Sequence, residues 1–180
     1  MTEHAILEEL DGRPVLRFER VLSHPPERVW RSLTEPEEMR AWHPTPARFE
    51  PEVGGRVEYV EGSNVADMPD GEVLEYEPPR LLAYTWFVAA RGTDRLRWEL
   101  HPREEGCLLV LLHSFADRTT AANYGAGWHL CLDSLAERLG GGPGRGGAPS
   151  PSEEPWQRLN AEYERSFGIA PEQATSPTRA

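Results

Sequence analysis

The apolar positions of this chain change period along its length, and those changes mark its elements. Residues 14–22, PVLRFERVL, alternate apolar and polar, the spacing of a strand with one buried face. Residues 23–27, SHPPE, then predict a helix start, with Ser23 or His24 at the cap and proline in the first turn. Val29, Trp30 and Leu33 form its apolar face. Thr34, Pro36 and two glutamates repeat the device for a second short helix ending near Trp42. Six strand-like segments follow, at 47–50, 56–60, 71–77, 81–90, 95–101 and 107–115. Turn signals at 78–80, 91–94 and 103–106 separate the later ones, the order of an antiparallel meander. Residues 107–112, CLLVLL, are apolar on both faces, which predicts a strand covered on both sides. Residues 121–139 return to helical spacing, with Tyr124, Trp128, Cys131, Leu132, Leu135 and Leu139 on one stripe. Gly125 and Gly127 weaken that helix and call for a close approach or a frayed turn. The pattern is α+β: strand, two short helices, meander, long helix.

Beyond the long helix the pattern thins. Residues 141–152 read as a Gly/Pro linker. In residues 155–167, Trp156, Leu159, Tyr163 and Phe167 recur on one side, an amphipathic helix that should dock. Residues 170–180 predict disorder. The expected organisation is an arm (1–13), one domain (14–140), the linker, and a C-terminal segment (153–180) carrying the amphipathic helix.

Composition narrows the chemistry. All 19 basic residues are arginine, so there is no lysine for a Schiff base or a Walker A loop. A net charge of −11 opposes nucleic-acid binding. Much of it lies in residues 50–77, where nine acids face one arginine, and it reads as a solvated face. MTEHAILEEL lacks the features of a signal peptide, and no apolar run is long enough to span a membrane, so a cytoplasmic location without membrane association is expected. Cys107 and Cys131 sit in apolar patterns and read as buried free thiols.

Several stretches carry a resemblance. Residues 18–42 (FERVLSHPPERVWRSLTEPEEMRAW), 51–57 (PEVGGRV), 71–86 (GEVLEYEPPRLLAYTW), 98–100 (WEL), 111–114 (LLHS) and 127–135 (GWHLCLDSL) occur in an order that resembles a bacterial branch of the START/Bet v 1-like (SRPBCC) superfamily, the activator of heat-shock-protein-90 ATPase homologues. The resemblance spans about residues 14–139. It implies a helix-grip fold, in which a curved antiparallel sheet wraps a long C-terminal helix around a cavity. It does not imply one activity: superfamily members bind lipids, polyketides, flavonoids or hormones, and some catalyse cyclisation or aromatisation. No catalytic signature carries over to this chain.

With that fold, Trp86 and Trp98 fall on neighbouring strands beneath Trp128, and Tyr84 shares a face with Trp86. Trp42, Tyr84, Trp86, Trp98, His113, Tyr124 and Trp128 are the expected lining of a ligand cavity, with Trp42 near its mouth. Singly, each ring reads first as core filling; it is the group, given the fold, that reads as a cavity lining. His113, on an apolar face, is either a hydrogen-bonded structural residue or a polar anchor. His129 points off the main stripe toward solvent. Cys107, His113, His129 and Cys131 match no zinc spacing, and the GPGRGG run at 142–147 follows a helix rather than a strand, so neither a metal nor a dinucleotide is expected. The leading expectation is a non-enzymatic protein that binds a small hydrophobic or aromatic molecule without a cofactor; a homodimer is one permitted assembly. The alternatives are a cyclase/aromatase-like or hydrolase-like enzyme using His113 as acid/base, and a protein-interaction or co-chaperone-like module acting through residues 50–77 and 155–167.

Overall fold

A computed structural model describes residues 4–60, 69–88 and 92–170. Its centre is one curved antiparallel sheet of eight strands. They are β1 (Ile6–Leu10), β2 (Arg13–Leu22), β3 (Ala47–Phe49), β4 (Arg56–Tyr59), β5 (Gly71–Glu77), β6 (Leu81–Val88), β7 (Gly92–Pro102) and β8 (Cys107–Ser114). Their order across the sheet is β1-β2-β8-β7-β6-β5-β4-β3. Two short helices, α1 (Pro26–Thr34) and α2 (Pro36–Met39), join β2 to β3. The long helix α3 (Ala121–Leu139) follows β8, and α4 (Glu154–Phe167) closes the described chain.

Alternation in the strands sorts the two faces. Leu96, Trp98 and Leu100 of β7 and Leu109, Leu111 and His113 of β8 are buried on the inner face, toward α3. The outer face of β8 is only partly covered: Leu108 and Leu112 stay half-buried. The covering is not a second layer. Leu112 stands in register between Arg17 and Arg97, and Val110 between Glu19 and Glu99. Long charged side chains lay their stems over apolar neighbours and keep their heads in water. The two-sided apolar run therefore reflects amphipathic neighbours rather than burial between layers.

Local chemistry differs from the expected pattern at several points. The N-cap of α1 is Pro25, with no side-chain cap, so neither Ser23 nor His24 plays that role. Thr34 ends α1 instead of capping α2: its hydroxyl donates back to the Trp30 carbonyl at 2.9 Å. Residues 92–94 continue β7 rather than forming a turn. The arm contributes β1, which hairpins onto β2 through Asp11 and Gly12, both at positive φ (51° and 73°), as the tightest hairpin turns require.

The C-terminal segment belongs to the core. Leu159, Tyr163 and Phe167 of α4 are buried with the rest of the hydrophobic cluster. The Tyr163 hydroxyl accepts from the Ala5 amide (3.1 Å) and bonds His129 Nδ1 (2.9 Å). His129 is therefore buried, not exposed, because α4 covers that side of α3. Residues 141–152 are tied down too. Ser134 Oγ donates to the Ala41 carbonyl and accepts from the Arg145 amide, and the Gly146 amide reaches the same carbonyl at 2.9 Å. Gly144 serves close backbone approach: a Cβ there would lie 2.4 Å from the Ala41 carbonyl oxygen.

The two helix glycines divide on the same test. A Cβ on Gly125 would meet the Tyr163 ring at 3.0 Å, whereas one on Gly127 meets nothing within 4 Å. Tyr163 is held by its two hydrogen bonds and by stacking on Phe167, with centroids 5.2 Å apart, so it has no room to yield. In chemical denaturation, Gly127→Ala should stabilise by about 1 kcal/mol through helix propensity. Gly125→Ala should destabilise despite the same gain, because overpacking costs about 1–3 kcal/mol. Equal stabilisation by both would show that α4 does not seat on Gly125.

Candidate functional site

The inner face of the sheet and α3 bring the predicted residues into one ring cluster. Tyr84 and Trp86 come from β6, Trp98 from β7, His113 from β8, and Tyr124 and Trp128 from α3. Trp42 enters from the turn after α2. Trp42 packs edge-on against Trp98 with centroids 5.6 Å apart, and Trp98 does the same against Trp128. Trp128 lies 5.4 Å from Trp86, and Tyr124 lies 4.4 Å from His113. These are the edge-to-face spacings that aromatic quadrupoles favour. Trp42 is not at a mouth. It is 1% exposed, with its N–H donating to the Ser32 carbonyl at 3.0 Å. The less buried rings are Tyr124 and Phe49, both half-buried.

Polar groups thread the cluster in two chains. Asp94 and His113 are both buried, at 1% and 0% exposure. His113 Nε2 lies 3.0 Å from Asp94 Oδ2, and the Trp128 N–H donates to His113 Nδ1 at 3.1 Å. An indole N–H only donates, so Nδ1 must be the acceptor and the single proton of the neutral ring sits on Nε2, donated to the carboxylate. Burial lowers the pKa of His113, against the opposing pull of Asp94. His113 is thus a neutral strut between sheet and helix, with both nitrogens engaged.

The second chain starts from His43. The Thr45 amide donates to His43 Nδ1 at 3.1 Å, so the ring proton is on Nε2, aimed at the Tyr84 hydroxyl oxygen 3.2 Å away. Burial holds the pKa of His43 down at about 3 and pushes that of Tyr84 up. The Tyr84 oxygen therefore accepts from His43, and its own O–H finds no acceptor among the described residues. Trp86 donates to Thr45 Oγ1 at 2.9 Å.

Sequence reasoning missed His43, Thr45 and Asp94. The signal for the first two lay in His43-Pro44-Thr45-Pro46, where each proline forces the preceding residue into extended backbone. Asp94 lies in Arg91-Gly92-Thr93-Asp94, which carries turn signals in the sequence. Among the described residues no three His, Cys, Asp or Glu side chains gather around a metal position. Cys107 and Cys131 are free, buried thiols, and burial raises the pKa of Cys131 to about 12. No helix among the described residues is long and apolar enough to cross a membrane.

The family model for "Activator of Hsp90 ATPase homolog 1-like protein" matches residues 23–140. The chain belongs to this family. Its START/Bet v 1-like helix-grip architecture recurs in solved structures. CalU16 from Micromonospora echinospora is 19% identical, over 91% of this chain and 93% of that one, with a TM-score of 0.68. Protein MLL2253 from Mesorhizobium loti is 30% identical over 69% of this chain and 95% of its own, with a TM-score of 0.58. The BPP1335 protein from Bordetella parapertussis is 29% identical, over 89% of this chain and 87% of that one, at a TM-score of 0.60. Among curated proteins none matches significantly. The family match begins at residue 23 and ends at 140, so β1, β2 and α4 lie outside it.

The two neutral imidazoles set a pH dependence. Both have folded pKa values below the ordinary 6.5. The unfolded chain therefore binds more protons as pH falls through about 6.5. Their contribution is fully present above that pH. It is lost as pH falls toward the folded values, at up to about 1.4 kcal/mol per histidine per pH unit. Urea denaturation should give a lower unfolding free energy at about pH 5 than at about pH 7, and His43→Gln should remove part of the slope. A flat profile, with His43→Gln unchanged, would mean that the folded histidines titrate as they do in the unfolded chain.

Proposed function

We propose that this domain binds a small, flat, largely apolar molecule carrying a hydrogen-bond acceptor, held between the inner sheet face and α3. The observation that carries the proposal is the unshared hydroxyl proton of Tyr84 amid aromatic rings. A buried donor without a partner costs about 1–3 kcal/mol. A carbonyl or ether oxygen on a ligand would meet it, while the rings offer faces for stacking. Phe49, half-buried on the three-residue strand β3, lies over Tyr84 with centroids 5.0 Å apart. That short strand carries few bonds to break, so it is the natural place for the site to open. Trp86, Tyr124 and Trp128 would flank the ligand, His113 would hold Trp128 in place, and Trp42 and Trp98 would back it.

An enzymatic role for His113 is the weaker reading. Proton transfer at either nitrogen would require it to release Asp94 or Trp128. The interaction-module reading loses half its basis, since the apolar stripe of α4 is buried against α3.

Native mass spectrometry of the protein from its own host should show a co-purified aromatic molecule. With a panel of aromatic ketones and the matching hydrocarbons, the ketones should quench tryptophan fluorescence and raise Tm. Tyr84→Phe should weaken ketone binding about tenfold and leave hydrocarbon binding unchanged. Equal binding of both sets, or no response to either, would overturn the proposal.

A further inference from the structure

We infer that the outer face of the sheet carries a second site, for a small organic carboxylate with a flat apolar body. This site lies on the opposite side of the sheet from the aromatic cluster and does not depend on it. It is a cleft of about 410 Å³. Val15, Ala83 and Leu112 form its apolar floor, and the β1–β2 turn and the Leu74–Glu75 stretch of β5 form its walls. A volume of this order falls within the roughly 300–1,000 Å³ of small-molecule sites. The walls limit the occupant to a compact molecule rather than a laid-out peptide.

Its charge pattern is the decisive feature. Three arginines, Arg13, Arg95 and Arg97, project from alternate positions of β2 and β7 around the apolar floor. The ladder register sets Arg97 between Ala83 and Leu112, and Arg95 opposite Ser114. Arg17, beyond the cleft, and Arg97, within it, are compensated. Arg17 pairs with Glu19 at 2.6 Å, and Arg97 pairs with Glu99 at 2.7 Å and with Glu75. Arg13 and Arg95 are not: neither makes an ion pair with any described residue, although Asp11 also lines the cleft. Arg13 spends one N–H on the Thr93 carbonyl at 3.0 Å, which fixes its direction, while its Nε is buried without a partner. Arg95 is exposed beside it. Arg13 and Arg95 thus bring two guanidiniums without an ion pair among the described residues to one apolar cleft.

The chemistry follows from the side chains. A guanidinium is a rigid fork of donors that matches a carboxylate in two parallel bonds. Arg97, held by its two glutamates, presents a fixed plane over the floor on which a flat ring can lie. Glu75 bounds the far end and repels a second negative charge, which favours a monoanion.

The test uses the full chain and 1-naphthoate as probe, followed by amide and arginine Nε–H shifts in two-dimensional NMR. Shifts should cluster at Arg13, Val15, Arg95, Leu112 and Ser114. The uncharged 1-naphthamide should bind at least about tenfold more weakly. Arg95→Gln should cost about tenfold in Kd, and Arg13→Lys, which keeps the charge but loses the fork, should cost several-fold. Shifts at these outer-face residues, rather than at residues facing α3, separate this site from the interior one. Shifts confined to residues facing α3, indifference to the Arg95 change, or no shift at millimolar probe would each overturn the assignment. So would tighter binding of an acidic peptide than of naphthoate at the same residues, since the face would then be a protein-docking surface.

Discussion

The hydrogen bond from Trp128 to His113 is the constraint on which the rest of this fold depends. It joins the middle of α3 to the middle of β8 inside a dry interior. An indole N–H buried there needs an acceptor, and imidazole is one only while neutral and in the right tautomer. Asp94 fixes that tautomer by taking the Nε2 proton. The Asp94–His113–Trp128 chain therefore sets the depth and rotation of α3 against the sheet. Rings that contact Trp128, namely Trp86, Trp98 and His43, take their positions from it. A buried carboxylate is costly unless bonded. Here it also specifies a single arrangement among many that a greasy core would tolerate, a role best attested for buried polar groups that fix register.

The two sides of α3 are handled differently. One side meets the aromatic cluster, where polar groups select geometry. The other meets α4, where Gly125 lets the Tyr163 ring seat directly on the helix. Tyr163 in turn holds Ala5 before β1 and His129 on α3. The segment outside the family match thus completes the core: α4 and β1, at the two ends of the described chain, are clamped together by one tyrosine. The sheet divides in the same manner. Its inner face is nearly all ring and aliphatic side chain, and its outer face is a lattice of arginines and glutamates over a half-covered apolar surface.

Much of the fold was legible because it rests on patterns that are local in sequence. Alternation in residues 95–101 and helical spacing in residues 121–139 fix which side chains face each other, and the ordered motifs fix the topology. All seven predicted lining residues fall in one cluster for that reason. What was not legible depends on contacts far apart in the chain. Asp94 looked like a turn residue because aspartate after glycine and threonine usually is. Only its pairing across the sheet to a histidine 19 positions away makes it a buried strand residue. His129 looked exposed because its cover, α4, lies beyond a glycine-rich stretch that reads as a tether. Trp42 looked like a rim residue, and its burial depends on a carbonyl ten positions back. The acidic stretch explained little. Several of its described members simply pair with Arg48, Arg56, Arg80 and Arg97.

The most direct measurement is the protonation state of His113 itself. Long-range proton–nitrogen correlation on the folded protein near neutral pH reports which ring nitrogens carry a proton. The expected result is a neutral ring protonated at Nε2 alone, with Nδ1 bare and accepting from Trp128, and a signature that Asp94→Asn disturbs along with the indole N–H of Trp128. A doubly protonated ring, or a proton on Nδ1, would contradict it, because the indole would then have no acceptor and α3 would be held by something else.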